Sequence, residues 1–122
     1  MTRILLLAGL IAAIAVPAGA QAATDAQAAT TAQTVRVTER SYGIRLSARP
    51  KAGVVKFIIR NASSDPHDFA LRGGGKVRRT RVIAPGGRAV LRVRLKRGVR
   101  YSFWCGVGSH ADKGMSGSFI AR

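Results

Sequence analysis

Near the end of the 122-residue sequence, the stretch FWCGVGSHADKGMSG (residues 103–117) sets Cys105, His110 and Met115 at the spacing C-x4-H-x4-M. Gly106, Gly108 and Gly114 lie between or beside them and permit tight bends, so one loop can turn three side chains toward one point. His67, in NASSDPHDFALR, is the other histidine of the chain and stands where a strand resumes after a Pro-containing loop. Two imidazoles, a thiolate and a thioether form a soft donor set. A trigonal His2Cys plane with a weak axial Met is the arrangement of mononuclear blue copper. Zinc also takes thiolate and imidazole, but as fourth ligand it would more naturally recruit a carboxylate such as Asp65, Asp68 or Asp112 than a thioether.

Each residue alone has an ordinary reading: a single His as a surface or core residue, a lone Cys as an inert buried hydrophobe, a Met as a gap-filler. Their joint placement argues otherwise. Beyond Met1 the sequence has no further Cys, His or Met, and all four fall in two loops.

Residues 1–22 read as a secretory signal peptide: Arg3, then an apolar run of thirteen residues from Ile4 to Val16, then Pro17 and small residues suited to cleavage between Gln21 and Thr24. The run is shorter than the roughly 17–25 residues that span a bilayer. Residues 23–33, rich in Ala, Thr and Gln, read as a flexible tether, and residues 34–122 as one folded domain. The expected location is secreted or periplasmic, where a lone cysteine has no internal disulfide partner and suits a protected role such as a metal ligand.

The elements that must position these side chains have a period of two. Val35 and Val37 alternate with Arg36 and Thr38, Val55, Phe57 and Ile59 with Lys56 and Arg60, and Leu91, Val93 and Leu95 with Arg92, Arg94 and Lys96. ARPKAG, NASSDP, RGGGK, APGG and KRG mark turns, and no amphipathic helix is evident. Short strands at about ten-residue spacing predict an all-β fold, an antiparallel Greek-key β-sandwich. In VRYSFWCG, Tyr101, Phe103 and Cys105 share one strand face, with Ser102 and Trp104 on the other. Trp104 is expected to pack rather than to relay electrons. Asn61-Ala62-Ser63 matches a glycosylation sequon but is explained by turn chemistry.

PHDF together with YSFWCGVGSHADKGMSGSF resembles the cupredoxins, small type 1 blue copper proteins of the plastocyanin and azurin kind, over Thr34–Arg122. The resemblance implies seven to eight strands with the site at one end, His67, Cys105 and His110 as equatorial copper ligands, Met115 as the axial one, and His110 as the exit for the electron. One departure concerns Asp68, where members of the family often carry Asn. An ionised carboxylate can accept an N–H from the Gly106 region but cannot donate back.

Four protein ligands leave no open position for a substrate, and two histidines cannot build a multicopper cluster, so an enzyme is not expected. The expected function is one-electron transfer by a single copper ion per chain; the alternative is an extracytoplasmic copper carrier or buffer. Without the signal segment, 20 Lys and Arg against 5 Asp and Glu give +15. That charge points to redox protein partners with acidic docking surfaces, or to an anionic membrane surface. Nucleic acid is not expected, since no exposed aromatic series accompanies the charge. A monomer is expected.

Overall fold

The computed structural model describes residues 31–122. Residues 1–22, read above as a signal peptide, and most of the expected tether lie outside the described residues. Eight strands follow one another: β1 (Gln33–Arg40), β2 (Gly43–Leu46), β3 (Gly53–Asn61), β4 (Ala70–Gly73), β5 (Lys76–Arg79), β6 (Arg88–Leu95), β7 (Arg100–Trp104) and β8 (Ser116–Ile120). They form two four-stranded sheets, ordered β2-β1-β3-β6 and β5-β4-β7-β8. The predicted turns fall between strands, and the alternations fall within them. One pairing departs from the antiparallel expectation: β1 runs parallel to β3, with Val35 opposite Phe57.

Alternation makes the core. Val35 and Val37 of β1 and Val55, Phe57 and Ile59 of β3 are buried from one sheet, facing Leu71, Tyr101, Phe103 and Phe119 of the other. The rings of Phe57, Phe69, Phe103 and Phe119 follow one another between the sheets at centroid separations of 5.7, 5.9 and 6.3 Å. Such pairs add about 0.5–1.5 kcal/mol each beyond the area they bury. Gly117 is glycine because the Phe103 ring occupies the space where a Cβ would stand. The core thereby fixes β7 and β8, and the loop between them carries the candidate ligands.

The structure differs from the sequence reading at β5. No alternation marks a strand over Lys76–Arg79, yet these residues form one, and all four are exposed. An edge strand with no buried face leaves no alternation to read. Among the described residues no helix is long and apolar enough to cross a membrane.

Candidate metal centre

Cys105 follows the last residue of β7 and continues its inward face with Tyr101 and Phe103, so its side chain is fully buried. Its amide donates to the Met115 carbonyl at 3.0 Å, and the Met115 amide donates to the His110 carbonyl at 3.1 Å. These two bonds close the loop on itself. Gly108 and Gly114 adopt left-handed φ values of 50° and 112°, where a side chain would strain the backbone. At Gly106 a Cβ would meet the tip of the Arg79 guanidinium, the movable end of a long side chain.

The loop brings His110 to His67, which β3 and the NASSDP turn deliver from the other sheet. Cys105 Sγ lies 3.8 Å from His67 Nδ1 and 3.7 Å from His110 Nδ1, and the two Nδ1 atoms are 3.1 Å apart. Metal bonds of about 2.0 Å to nitrogen and 2.3 Å to sulfur, opened by 100–120°, span about 3.1–3.5 Å between nitrogens and about 3.3–3.7 Å from nitrogen to sulfur. The triangle therefore fits one ion at its centre. Met115 is fully buried and anchored beside this triangle by its backbone bonds to Cys105 and His110. Among the described residues, His67, Cys105 and His110 are the one group of His, Cys, Asp or Glu side chains with metal-ligand spacing. Asp65, Asp68 and Asp112, the carboxylates that zinc would favour, stand outside it.

Hydrogen bonds decide which nitrogen of His67 is free. The Ser63 hydroxyl donates to Asn61 Oδ1 at 2.8 Å and lies 2.8 Å from His67 Nε2, so it accepts the Nε2 proton and leaves the Nδ1 lone pair facing Cys105. Asn61 is held in turn, its Nδ2 donating to the carbonyls of Asp65 at 2.7 Å and Ile83 at 2.9 Å. The Asn-Ala-Ser triplet is therefore a turn, as expected, and its fully buried Asn61 is closed to glycosylation. It also orients a ligand, a role that sequence reading missed.

Asp68 behaves as anticipated. It is 3% exposed, and its Oδ1 accepts from the Gly106 amide at 2.5 Å, tying the two ligand loops together. Its other oxygen pairs with Arg79 Nη2 at 2.5 Å, a partner that sequence reading missed. Arg79 sits on β5 among many cations, and nothing in its local sequence distinguishes it. Trp104 lies on the outer side of its sheet, half-buried, with the Arg72 guanidinium 5.3 Å from its ring centroid. That is a packing role.

Burial governs the protonation of the ligands without metal. It lowers the pKa of His67, assisted by His110, and raises that of Cys105 against the amide hydrogen bonds from Asp68 and Val107. The histidine is thus ready to bind, whereas the thiol must lose a proton. Glu39, on the inward face of β1, is fully buried with neither carboxyl oxygen hydrogen-bonded, and burial followed by the nearby Asp68 pushes its pKa up to about 8.

No protein-family model matches the sequence, and no curated protein does. Solved structures are similar in fold. The reduced auracyanin of the photosynthetic bacterium Roseiflexus castenholzii has a TM-score of 0.62 at 14% identity, over 75% of this chain and 98% of its own. Auracyanin B has a TM-score of 0.64 at 18% identity, over 76% of this chain and 91% of its own. A chain from a haem-copper terminal oxidase dimer has a TM-score of 0.51 at 15% identity, covering 74% of this chain and 65% of that one. The eight strands in two sheets, with a His2Cys triangle and a buried Met115 at one end, are those of the cupredoxin fold.

Proposed function

We propose that this chain is an exported type 1 copper protein that carries one electron at a time between redox partners. His67, Cys105 and His110 would hold one copper ion, and Met115, buried beside them, would supply a weak thioether donor. The observation that carries this reading is the triangle of two Nδ1 atoms and one Sγ at 3.1, 3.7 and 3.8 Å, closed by a loop that also buries Met115. Copper supplies a one-electron couple; the protein supplies a donor set that need move little when the charge changes, because His67 and the Cys105–Met115 loop emerge from separately packed strands. His110 is the one ligand not fully covered, and its ring packs on Tyr42 at 5.1 Å between centroids, which makes its edge the natural point of exit. Four protein donors would leave no position on the metal open for a substrate, and two histidines are too few for further copper centres, so the reading is a carrier rather than an enzyme.

The test is the visible spectrum of the purified protein with Cu(II). A strong thiolate-to-copper band is expected, absent in Cys105→Ser and lost or altered in His67→Ala and His110→Ala. A band retained in Cys105→Ser refutes the site. Met115→Leu is expected to keep the band and raise the potential, because it removes a weak axial donor. Colour without electron exchange with small redox reagents would favour copper storage over transfer. For export, the intact mass of secreted material should correspond to a start between Gln21 and Thr24.

A further inference from the structure

Away from the metal centre, the two sheets part between their edge strands β5 and β6, leaving a cleft of about 250 Å³. Five cations line it: Lys76 and Arg78 from β5, Arg92 and Arg94 from β6, and Lys96 just beyond. Lys76 stands opposite Gly73 and Arg78 opposite Leu71, so both sit on the side of β5 that faces the core, where an apolar residue would be ordinary. An inward charge on an edge strand guards against unwanted strand pairing, and one is enough for that. Lys76 and Arg78 together, joined at the same cleft by Arg92 and Arg94 from the exposed face of β6 and by Lys96, exceed this purpose.

No carboxylate lines the cleft. The single ion pair among the described residues joins Arg79, which is not part of the lining, to Asp68 beside Gly106. All four carboxylates of residues 31–122 (Glu39, Asp65, Asp68 and Asp112) lie at or near the metal centre. The five positive charges therefore repel one another without compensation, and a bound anion would relieve them.

We propose that this cleft is a binding site for clustered phosphate, two or three phosphate groups in sequence, either free or at the head of a lipid. Each terminal phosphate brings about −1.5 to −2 charge and three acceptor oxygens, so two or three match five cations within this volume. Guanidinium forks bind phosphate oxygens in pairs, and three of the five cations are arginines. An acidic peptide fits less well, since an extended strand turns only alternate side chains to one face, about 7 Å apart, and brings too few carboxylates into a cleft this short. Nucleotides lack a stacking platform, because Tyr101, the one aromatic of the lining, is 3% exposed. Its ring is fixed by Phe119 at 5.6 Å and by the Lys96 amide, which donates to its hydroxyl at 2.9 Å. Gly73 explains part of the Gly73-Gly74-Gly75 run, since a Cβ there would enter the Tyr101 ring.

Tyr101 precedes Cys105 by four residues of strand, about 13 Å, so a phosphate held in the cleft leaves the His110 end open. The site thus goes beyond the electron-carrier reading and does not depend on it.

The test is binding of inorganic tripolyphosphate and of vesicles containing diacylglycerol pyrophosphate, whose head carries two phosphates in sequence, to the full domain, with poly-glutamate as the acidic-peptide probe. The double variant Arg92→Gln, Arg94→Gln is compared with Arg36→Gln, Arg45→Gln, which removes the same charge from exposed positions on the far strands of the same sheet. Tripolyphosphate affinity should fall about ten-fold or more in the cleft variant and less than two-fold in the control, with the salt dependence of log K lowered by about two only in the cleft variant. Near-UV circular dichroism of each variant checks folding without reference to copper. A parallel loss of vesicle binding assigns the phosphate to lipid, and a loss confined to tripolyphosphate assigns it to a free ligand. Equal losses in both variants, tighter binding of poly-glutamate, or no tripolyphosphate binding by the wild type overturns the proposal.

Discussion

Ser63 decides the chemistry of His67 more directly than its position in a turn suggests. Without its hydroxyl the Nε2 proton keeps only the more distant Ser41 hydroxyl, at 3.3 Å, and Asn61 Oδ1 loses a donor. Ser63→Ala should therefore weaken metal binding by about 10–100-fold while the fold persists, as measured by competition with a chelator of known affinity. Proton release gives a second test. His67 is held neutral and Cys105 protonated by burial, so metal uptake at neutral pH should release about one proton, measurable with an indicator dye in weak buffer, and none from Cys105→Ala. Glu39 titrates by its own logic. Its pKa of about 8 in the folded chain lies above the ordinary 4.5, so the folded state binds this proton more tightly than the unfolded one. The resulting stabilisation is complete below about pH 4.5 and is lost as pH rises through 8. In the metal-loaded protein the ligands' own pH dependence is common to wild type and variant, so Glu39 is read from their difference: the melting temperature of Glu39→Gln relative to the wild type should be higher at pH 9 than at pH 5. Equal slopes in the two proteins would place the titrating group elsewhere.

At the scale of elements, the packing of β7 against β8 sets the loop that the ligands share. Gly117→Ala drives a methyl group into the Phe103 ring and should cost about 1–3 kcal/mol, read from the denaturant midpoint, with the visible band broadened where β8 shifts Met115. The same strands show why much of the architecture is legible from sequence. Strands that bury one face announce it by alternation, as Val35, Val37 and Phe57 do, and Cys105 inherits its direction from Tyr101 and Phe103. The alternation even marks Glu39 as inward, two residues beyond Val37. What stays hidden is pairing and partnership. The parallel β1–β3 contact depends on which edge of β1 the returning chain joins, and β5 buries neither face. Asn61 and Ser63 have the composition of any turn, and Arg79 becomes the partner of Asp68 only because β5 folds back beside Gly106.

Over the whole molecule, charge is segregated. The cations spread over both sheets, while Asp65, Asp68 and Asp112 gather with Glu39 at the metal end, where Lys113 lies 4.7 Å from the Tyr42 ring beside His110. Two fields thus compete at the point of electron exit: a local one in which Asp112 and Lys113 nearly cancel, and a global one from a formal charge of +16 for the full sequence. Screening separates them, because the Debye length is about 8 Å at physiological ionic strength and about 30 Å at 0.01 M salt. At low salt an approaching reagent feels the whole domain; at high salt it meets only the nearly neutral surroundings of His110. The proposed acidic redox partner would exploit the first regime, gaining in association rate rather than in the final contact. For the copper-loaded protein, the second-order rate of electron exchange with an anionic reagent should fall as salt rises, and that with a cationic reagent should rise, the two converging once the Debye length drops below the distance from His110 to the basic faces. Removing Arg92 and Arg94, at the far end of the domain, should shrink both trends at low salt and leave the high-salt rates unchanged. If the rates ignore salt, the basic surface does not steer approach to His110, and an acidic docking surface on the partner loses its support.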